Sequence, residues 1–149
     1  MIQHILFPTD GSEASFQALN YLRSMAKQYQ ATVNVLHTYD FAMEHVLSRY
    51  GTETSVIHTF EEHLSEAGEN LLGELKQTLE NDGISVKNTF NLKGDAGQQI
   101  IQISEQEGCD LILMGTRGLG TIKSMLLGST SHFVVNHSHK IPVFLIPVK

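Results

Sequence analysis

Short apolar runs typical of β-strands alternate with longer stretches of helical periodicity along the whole chain, and this alternation limits the folds open to it. Strands are predicted at residues 2–8, 31–39, 84–92, 111–114 and 142–148. Helices are predicted after each of the first four strands, at about residues 12–29, 59–80, 94–108 and 129–136. Such alternation favours parallel strands joined by right-handed crossovers. We therefore predict an α/β fold, a doubly wound open sheet of five parallel strands with helices on both faces.

The apolar content of each strand predicts its place in the sheet. Residues 4–7 and 111–114 are the most apolar runs, so we expect them in central strands. The third strand alternates apolar with polar residues, which predicts a half-buried position near an edge. The last strand contains Pro147, which is tolerated mainly at edges, although Val143–Ile146 is unusually apolar for an exposed edge. We expect a partner chain to cover it.

Two helix starts have clear capping signals. Ser12 precedes the first helix and is followed by Glu13, an acidic residue where the helix dipole favours negative charge. Asp95 and Gln98 stand in capping-box-like positions at the start of the third helix. Each of these helices is therefore predicted to begin just after a strand ends.

Length and composition indicate one globular domain over residues 1–149 and exclude several classes of protein. The net charge of −6 disfavours nonspecific binding to nucleic acid. No apolar run approaches the roughly 20 residues of a membrane span, and no signal peptide is evident at the start. The single cysteine excludes an internal disulfide framework. We expect a cytoplasmic protein without a membrane or nucleic-acid partner.

The connection at residues 40–57 lacks a strong period and is long for a compact domain. We expect mobility in this segment.

The stretch from Asp110 to Ser131 carries the strongest chemical signal. An apolar strand ends at Gly115, Gly118 follows, and Gly128 precedes the hydroxyl residues 129–131. Glycines adopt positive φ and let backbone N–H groups approach a ligand, and a helix starting at Gly128-Ser129 would attract a phosphate. The spacing matches neither a P-loop nor a dinucleotide fingerprint, so the residues alone predict a site for a phosphate-like anion.

These residues resemble the ATP-binding subgroup of the universal stress protein family. That subgroup carries G-x2-G-x9-G-Ser/Thr after its fourth strand, and Gly115, Gly118, Gly128 and Ser129 match this spacing. The opening segment 5–12, Leu36-His37, Gly94-Asp95 and the closing segment 141–143 also fit, so the resemblance covers nearly the whole chain. It implies the strand order 3-2-1-4-5 of an adenine nucleotide alpha hydrolase-like fold.

The resemblance also implies residue roles. Asp10 is expected at the ribose, Pro8, Thr9 and Thr38 around the adenine, and Met114 and Gly115 near the nucleoside. The phosphates are expected beside Gly118, Gly128, Ser129, Thr130 and Ser131, with added charge from Arg117. The implied ligand is ATP, accompanied by Mg²⁺ on its phosphates rather than on a side-chain cluster. A homodimer through Val143–Val148 is the expected assembly.

Other interpretations remain open from the residues. Asp10 also fits a turn or cap, Gly115 and Gly118 a tight loop, and Thr38 an ordinary strand end. The eight histidines are expected to face solvent or lie near helix ends, and Cys109 to lie in or near the core. No catalytic constellation emerges, so we expect a nucleotide-dependent stress-response or signalling module rather than a dedicated enzyme. The alternatives are a nucleotide-independent dimeric interaction module and a slow ATPase.

Overall fold

The computed structural model describes residues 1–40, 49, 54–116 and 127–147. They form β1 (His4–Pro8), α1 (Glu13–Tyr29), β2 (Thr32–Tyr39), α2 (Thr54–Asn81), β3 (Val86–Lys93), α3 (Ala96–Gln106), β4 (Leu111–Gly115), α4 (Ser129–His137) and β5 (Val143–Ile146). Each predicted strand and helix is present. None of the helices in the described ranges has the length and hydrophobicity that a membrane span needs.

The five strands form one parallel sheet in the order β3-β2-β1-β4-β5. The predicted fold and strand order are therefore confirmed. Ile5 of β1 is in register with Val33 of β2 on one side and Leu111 of β4 on the other. The two most apolar runs thus lie inside the sheet, as predicted, where both faces of a strand are covered.

Each face of the sheet has its own apolar core. Ile5 and Phe7 of β1 point to the face covered by α1 and α2, where they pack with Leu22 and Leu79. Leu6 points to the other face and packs with residues of α3 and α4, among them Ile100 and Val134. Complete burial of each such side chain contributes about 1.5–3 kcal/mol, so the two cores fix the helices against the sheet.

The predicted helix caps are present. The Ser12 side chain accepts a hydrogen bond from the Ser15 N–H at the start of α1, and Asp95 accepts one from the Gln98 N–H at the start of α3. Gly83 and Gly108 follow α2 and α3 with φ of 81° and 62°, left-handed conformations that glycine adopts without a steric penalty.

One predicted helix boundary needs correction. Helix α2 begins at Thr54 rather than Thr59, so the end of the 40–57 connection is helical. This first turn includes the β-branched Val56 and Ile57, whose weak helix preference hides it in the sequence pattern. Residues 41–48 and 50–53, where mobility is expected, lie outside the described residues.

The two edge strands differ in character. β3 is a half-buried edge, as predicted. β5 forms the other edge but spans only Val143–Ile146, so Pro147 follows the strand instead of lying within it, as a proline lacking a donor N–H would. Phe144 on β5 is 41% exposed.

Candidate functional site

The candidate site is a cleft at the carboxyl edge of the sheet. From β1 the chain turns to α1 on one face, and from the neighbouring β4 it leads to α4 on the other. In open α/β sheets, ligands bind where two neighbouring strands lead to helices on opposite faces of the sheet. The cleft has a volume of about 110 Å³ and is partly open to solvent.

All predicted site residues within the described ranges line this one cleft. They are Pro8, Thr9, Asp10, Thr38, Met114, Gly115, Gly128, Ser129, Thr130 and Ser131. Arg117 and Gly118 lie outside the described residues, so their predicted roles stay predictions. Residues far apart in the chain thus meet because β1, β2 and β4 end at the same edge.

Asp10 is held in a tight turn between β1 and α1. Its Oδ1 accepts a hydrogen bond from the Ser12 N–H at 2.9 Å and a longer one from Ser15 Oγ at 3.3 Å. Gly11 between them has φ of 74°, a conformation suited to glycine. The turn interpretation of Asp10 is therefore correct as local structure, and the same turn fixes the carboxylate at the wall of the cleft.

Thr9 and His37 join the ends of β1 and β2 beneath the cleft. The Thr9 N–H donates to the Leu36 carbonyl at 2.8 Å, and the Thr9 carbonyl lies 2.9 Å from His37 Nδ1. Both contacts tie the backbone that leads into Asp10 to β2. At Thr9 the cleft wall therefore continues the hydrogen bonding of the sheet.

Helix α4 presents a glycine N-terminus to the cleft. Its N-cap is Gly128, which has no side chain to cap the helix, in contrast to Ser12 of α1 and Asp95 of α3. The Gly128 N–H is taken up by the Thr116 carbonyl at 2.6 Å. The first N–H groups of a helix have no intrahelical partner and carry partial positive charge. The N–H groups of Ser129 and Thr130 are therefore the donors best suited to an anion in the cleft.

Ser131 lies in the same wall but its hydroxyl is directed into the protein. Ser131 Oγ donates to the Thr116 carbonyl at 2.7 Å, with the Gly128 carbonyl at 3.1 Å, and the residue is buried. Its hydroxyl hydrogen is therefore used to tie α4 to the end of β4. The hydroxyls of Ser129 and Thr130 are the more accessible ones.

The expected glycine conformations are not all present. Gly128 has φ of −69°, in the extended region, and Gly115 is not among the described glycines with positive φ. Glycine at position 115 is favoured by a close approach instead, because a Cβ there would lie 3.3 Å from the Ala14 carbonyl oxygen. The absence of a side chain at position 115 allows the first turn of α1 to pack closely against the end of β4.

Four cleft residues were missed by the sequence reasoning, namely Ser15, Leu36, Ala96 and Ile100. Leu36 and Ile100 are buried members of the core on the α3 and α4 face, and they give the cleft an apolar side together with Met114. Ala96 and Ser15 lie in first helical turns at the same sheet edge. Helices that follow parallel strands start at that edge, so the position of α3 after β3 could have predicted that its first turn borders the cleft.

The histidines that the structure describes and Cys109 do not line this cleft. His58, His63, His132, His137 and His139 are exposed, as predicted, whereas His4 and His37 are half-buried in β1 and β2. Cys109 is buried in the core, also as predicted, and burial raises the pKa of its thiol more than the Asn34 amide at 3.7 Å lowers it. Across residues 1–40, 49, 54–116 and 127–147, no three potential metal-ligating side chains come together.

The cleft offers three kinds of chemistry side by side. An apolar surface can contact a flat ring, the Asp10 carboxylate can accept hydrogen bonds from hydroxyl groups, and the start of α4 can donate to an anion. Among its described lining residues, Asp10 carries the only charged side chain.

Comparison with known proteins gives the family. The model of the universal stress protein family matches residues 1–147. Universal stress protein MJ0577 of Methanocaldococcus jannaschii is 32% identical over 162 residues, which cover 100% of this chain and 97% of the relative. Universal stress protein MJ0531 of the same organism is 30% identical over 146 residues, covering 98% of this chain and 82% of the relative.

Solved structures have the same fold. The structure of MJ0577 matches with a TM-score of 0.83 at 29% identity, over 100% of this chain and 98% of that one. A universal stress protein solved in complex with cAMP matches with a TM-score of 0.66 at 20% identity, over 98% of this chain and 97% of that one. On the family match and these relatives, the chain belongs to the universal stress protein family.

Proposed function

We propose that this universal stress protein binds ATP in the cleft between the ends of β1 and β4 and acts as a nucleotide-dependent stress-response module. The observation that carries the proposal is the pairing of a fixed carboxylate, Asp10, with a helix start whose N-cap, Gly128, has no side chain. A carboxylate suits ribose hydroxyls and a helix N-terminus suits phosphates. An apolar side formed by Leu36, Ile100 and Met114 suits a base.

The charges favour one orientation of the nucleotide. Asp10 would repel phosphate groups, so the phosphates extend away from it, toward the N–H groups of Ser129 and Thr130. The ribose then lies at Asp10 and the adenine lies between Thr38 and Met114, with Pro8 and Thr9 at its border. This arrangement agrees with the roles that the family resemblance implies for these residues. Arg117 and Gly118 belong to the proposed phosphate site on the same ground.

Magnesium enters this proposal only with the nucleotide. Mg²⁺ keeps several waters and binds through substrate phosphates with one or two carboxylates, so an all-protein cage is not needed. Asp10 is assigned to the ribose, and the metal would therefore rest mainly on phosphate oxygens and water.

The relatives lend support of a general kind. One solved universal stress protein of this fold is a complex with cAMP, which is an adenine nucleotide. That complex supports an adenine nucleotide as the ligand class, whereas the choice of ATP rests on the glycine motif and the helix start at Gly128.

A substitution at Gly128 tests the phosphate part of the site. In Gly128→Val a branched side chain at the start of α4 would stand over the N–H groups that bind phosphate. We expect ATP co-purifying with the wild type to be lost in this variant, as measured by chromatography of nucleotides released from gently purified protein. Gly73→Val is the matched control, because Gly73 lies in α2 with open space around it. Retention of ATP by Gly128→Val would contradict the proposed phosphate site.

We also propose a homodimer formed through the segment Val143–Val148. Edge strands present unpaired backbone groups, and β5 adds the exposed Phe144 to such an edge. This surface also favours the second candidate function, a dimeric interaction module that works without nucleotide. A chain that dimerises but neither retains nor binds ATP would favour that second function.

A further inference from the structure

A second cavity, of about 360 Å³, lies between α1 and α2 on the face of the sheet opposite α3 and α4. Its floor is formed by buried apolar side chains, Phe7, Leu19 and Leu75. Polar side chains, Arg23, Glu74 and Thr78, stand at its rim. This cavity differs in most of its lining from the cleft that holds Asp10 and Gly128, and its volume is larger.

The cavity exists because α1 and α2 do not close over β1. Helix α1 packs on β1, β4 and β5, whereas α2 packs on β2 and β3. The two helices are tied at one level, where Arg23 Nε lies 2.7 Å from Asp82 Oδ2 just after α2 ends. Toward the carboxyl ends of the strands a space remains between the two helices, above the buried Phe7.

The lining indicates the chemistry of an occupant. An apolar floor binds apolar groups at about 25 cal/mol per Å² removed from water, and small-molecule pockets have volumes from about 300 Å³ upward. The rim does not call for an anion, because Asp82 already neutralises Arg23 and the Glu74 carboxylate adds negative charge. A buried cation is not favoured either, because the apolar side chains of the floor have no oxygen atom to bind it. An uncharged molecule with a polar edge at the rim fits best.

The cavity also shares a wall with the proposed nucleotide cleft. Thr9 and Ser15 line both spaces, and Leu71 lies 3.5 Å from where a Cβ on Gly11 would be. We infer that the α1–α2 cavity is a second binding site, specific for a small uncharged apolar molecule about the size of a bicyclic ring. The inference concerns nucleotide-free protein and stands independently of ATP binding.

Titration with indole tests this site directly. Indole is an uncharged bicyclic ring with one N–H donor, and it is added to nucleotide-free protein carrying labelled leucine and methionine methyl groups. We expect saturable NMR shifts at Leu19 and Leu75 with a Kd of about 1 mM or below. Indole-3-acetate, its anionic counterpart, should bind at least about fivefold more weakly because the Glu74 carboxylate at the rim repels it.

Variants that fill the cavity provide the control. Thr78→Phe at the exposed rim and Leu71→Phe at the wall should each weaken indole binding about tenfold or more. Gln77→Phe, on the adjacent exposed position of α2 outside the cavity, should bind as the wild type does. Two filling variants are used so that one remains informative if the other fails to fold. The inference is overturned by shifts confined to Leu36 and Met114, by undiminished binding in a folded filling variant, by tighter binding of the anion, or by no saturation up to about 5 mM.

Discussion

At the scale of single residues, the site depends on side chains that local structure has already fixed. Asp10 reaches the cleft because Ser12 and Ser15 hold one of its carboxylate oxygens. Hydrogen bonds to a charged group contribute about 1.5–3 kcal/mol, more than bonds between neutral groups. A neutral acceptor of the same shape should therefore separate the effect of the Asp10 charge from the effect of its position in the turn.

Asp10→Asn separates them. The amide oxygen of asparagine still accepts from the Ser12 N–H, so the turn should persist, and the free energy of unfolding should fall by only about 1 kcal/mol, because the acceptor becomes neutral. Loss of the charge should weaken ATP binding about tenfold or more, since ribose hydroxyls would lose a charged acceptor. Calorimetric titration and chemical denaturation of the same preparation measure the two effects. Unchanged ATP affinity would contradict the assignment of Asp10 to the ribose.

Asp110 gives a prediction about pH. Its Oδ2 accepts from the Gln3 and His4 N–H groups at 2.8 and 2.9 Å, and these bonds, that of Gln3 first, lower the pKa of the carboxyl below its ordinary value. A carboxyl whose pKa is lowered by folding stabilises the native state above its unfolded pKa of about 3.9. That stabilisation is lost as the pH falls through the lower, folded pKa.

Asp110→Asn should therefore destabilise the protein in a pH-dependent way. Because the group is largely solvent-screened, we expect the variant to lose only about 1 kcal/mol of unfolding free energy at pH 7. The difference from wild type should shrink as the pH is lowered below about 4. Denaturant titrations at several pH values measure it. A difference that stays constant over this range would exclude the charge as its cause.

At the scale of helices and strands, glycines determine how closely elements approach. A Cβ on Gly97 in α3 would lie 2.5 Å from Phe133 Cδ1 of α4, well inside contact distance. Gly73 in α2 has open space around it. The two glycines are both helical, so a comparison of them separates packing from helix propensity.

Alanine at these two positions should have opposite effects. Gly73→Ala should raise the free energy of unfolding by up to about 1 kcal/mol, since alanine is the better helix former. Gly97→Ala gains the same propensity, but it must displace Phe133 and should lower stability by about 1–2 kcal/mol. Thermal and denaturant unfolding of both variants provide the measurement. Equal stabilisation by both would mean that α3 and α4 are not closely packed at Gly97.

Elements were predictable from the sequence where periodicity is strong and less so where it is weak. The apolar runs predicted the inner strands, and Ser12 and Asp95 predicted two helix starts through their capping chemistry. The first turn of α2 was missed because Val56 and Ile57 resemble strand residues. The position of Ile100 at the cleft depends on how α3 crosses the sheet, which no local pattern encodes.

At the scale of the whole molecule, the order of the strands creates the candidate site. Because β1 and β4 are neighbours and lead to opposite faces, residues around Asp10 and Gly128 meet although more than a hundred positions separate them. Apolar content predicted which strands are inner, and the family resemblance supplied the full order. The 360 Å³ cavity between α1 and α2 was not foreseen, since it depends on the separation of two helices.

Assembly is the other property at this scale. If the dimer forms through β5, Phe144→Asp would place a charge in the interface and should convert the dimer to a monomer, because an unpaired buried charge is strongly unfavourable. Sedimentation velocity measures this. Gln102→Asp, on the exposed side of α3, is the control and should stay dimeric. A Phe144→Asp protein that remains a dimer would place the interface elsewhere.

Calorimetric titration of nucleotide-stripped protein with ATP, with and without Mg²⁺, tests the central claim most directly. We predict saturable binding with a Kd in the micromolar range, corresponding to about −8 kcal/mol, and weaker binding of AMP, which lacks the outer phosphates that α4 receives. Absence of binding at about 1 mM ATP would contradict the account. The glycine motif would then serve the fold or another ligand, and the dimeric interaction module would become the leading function.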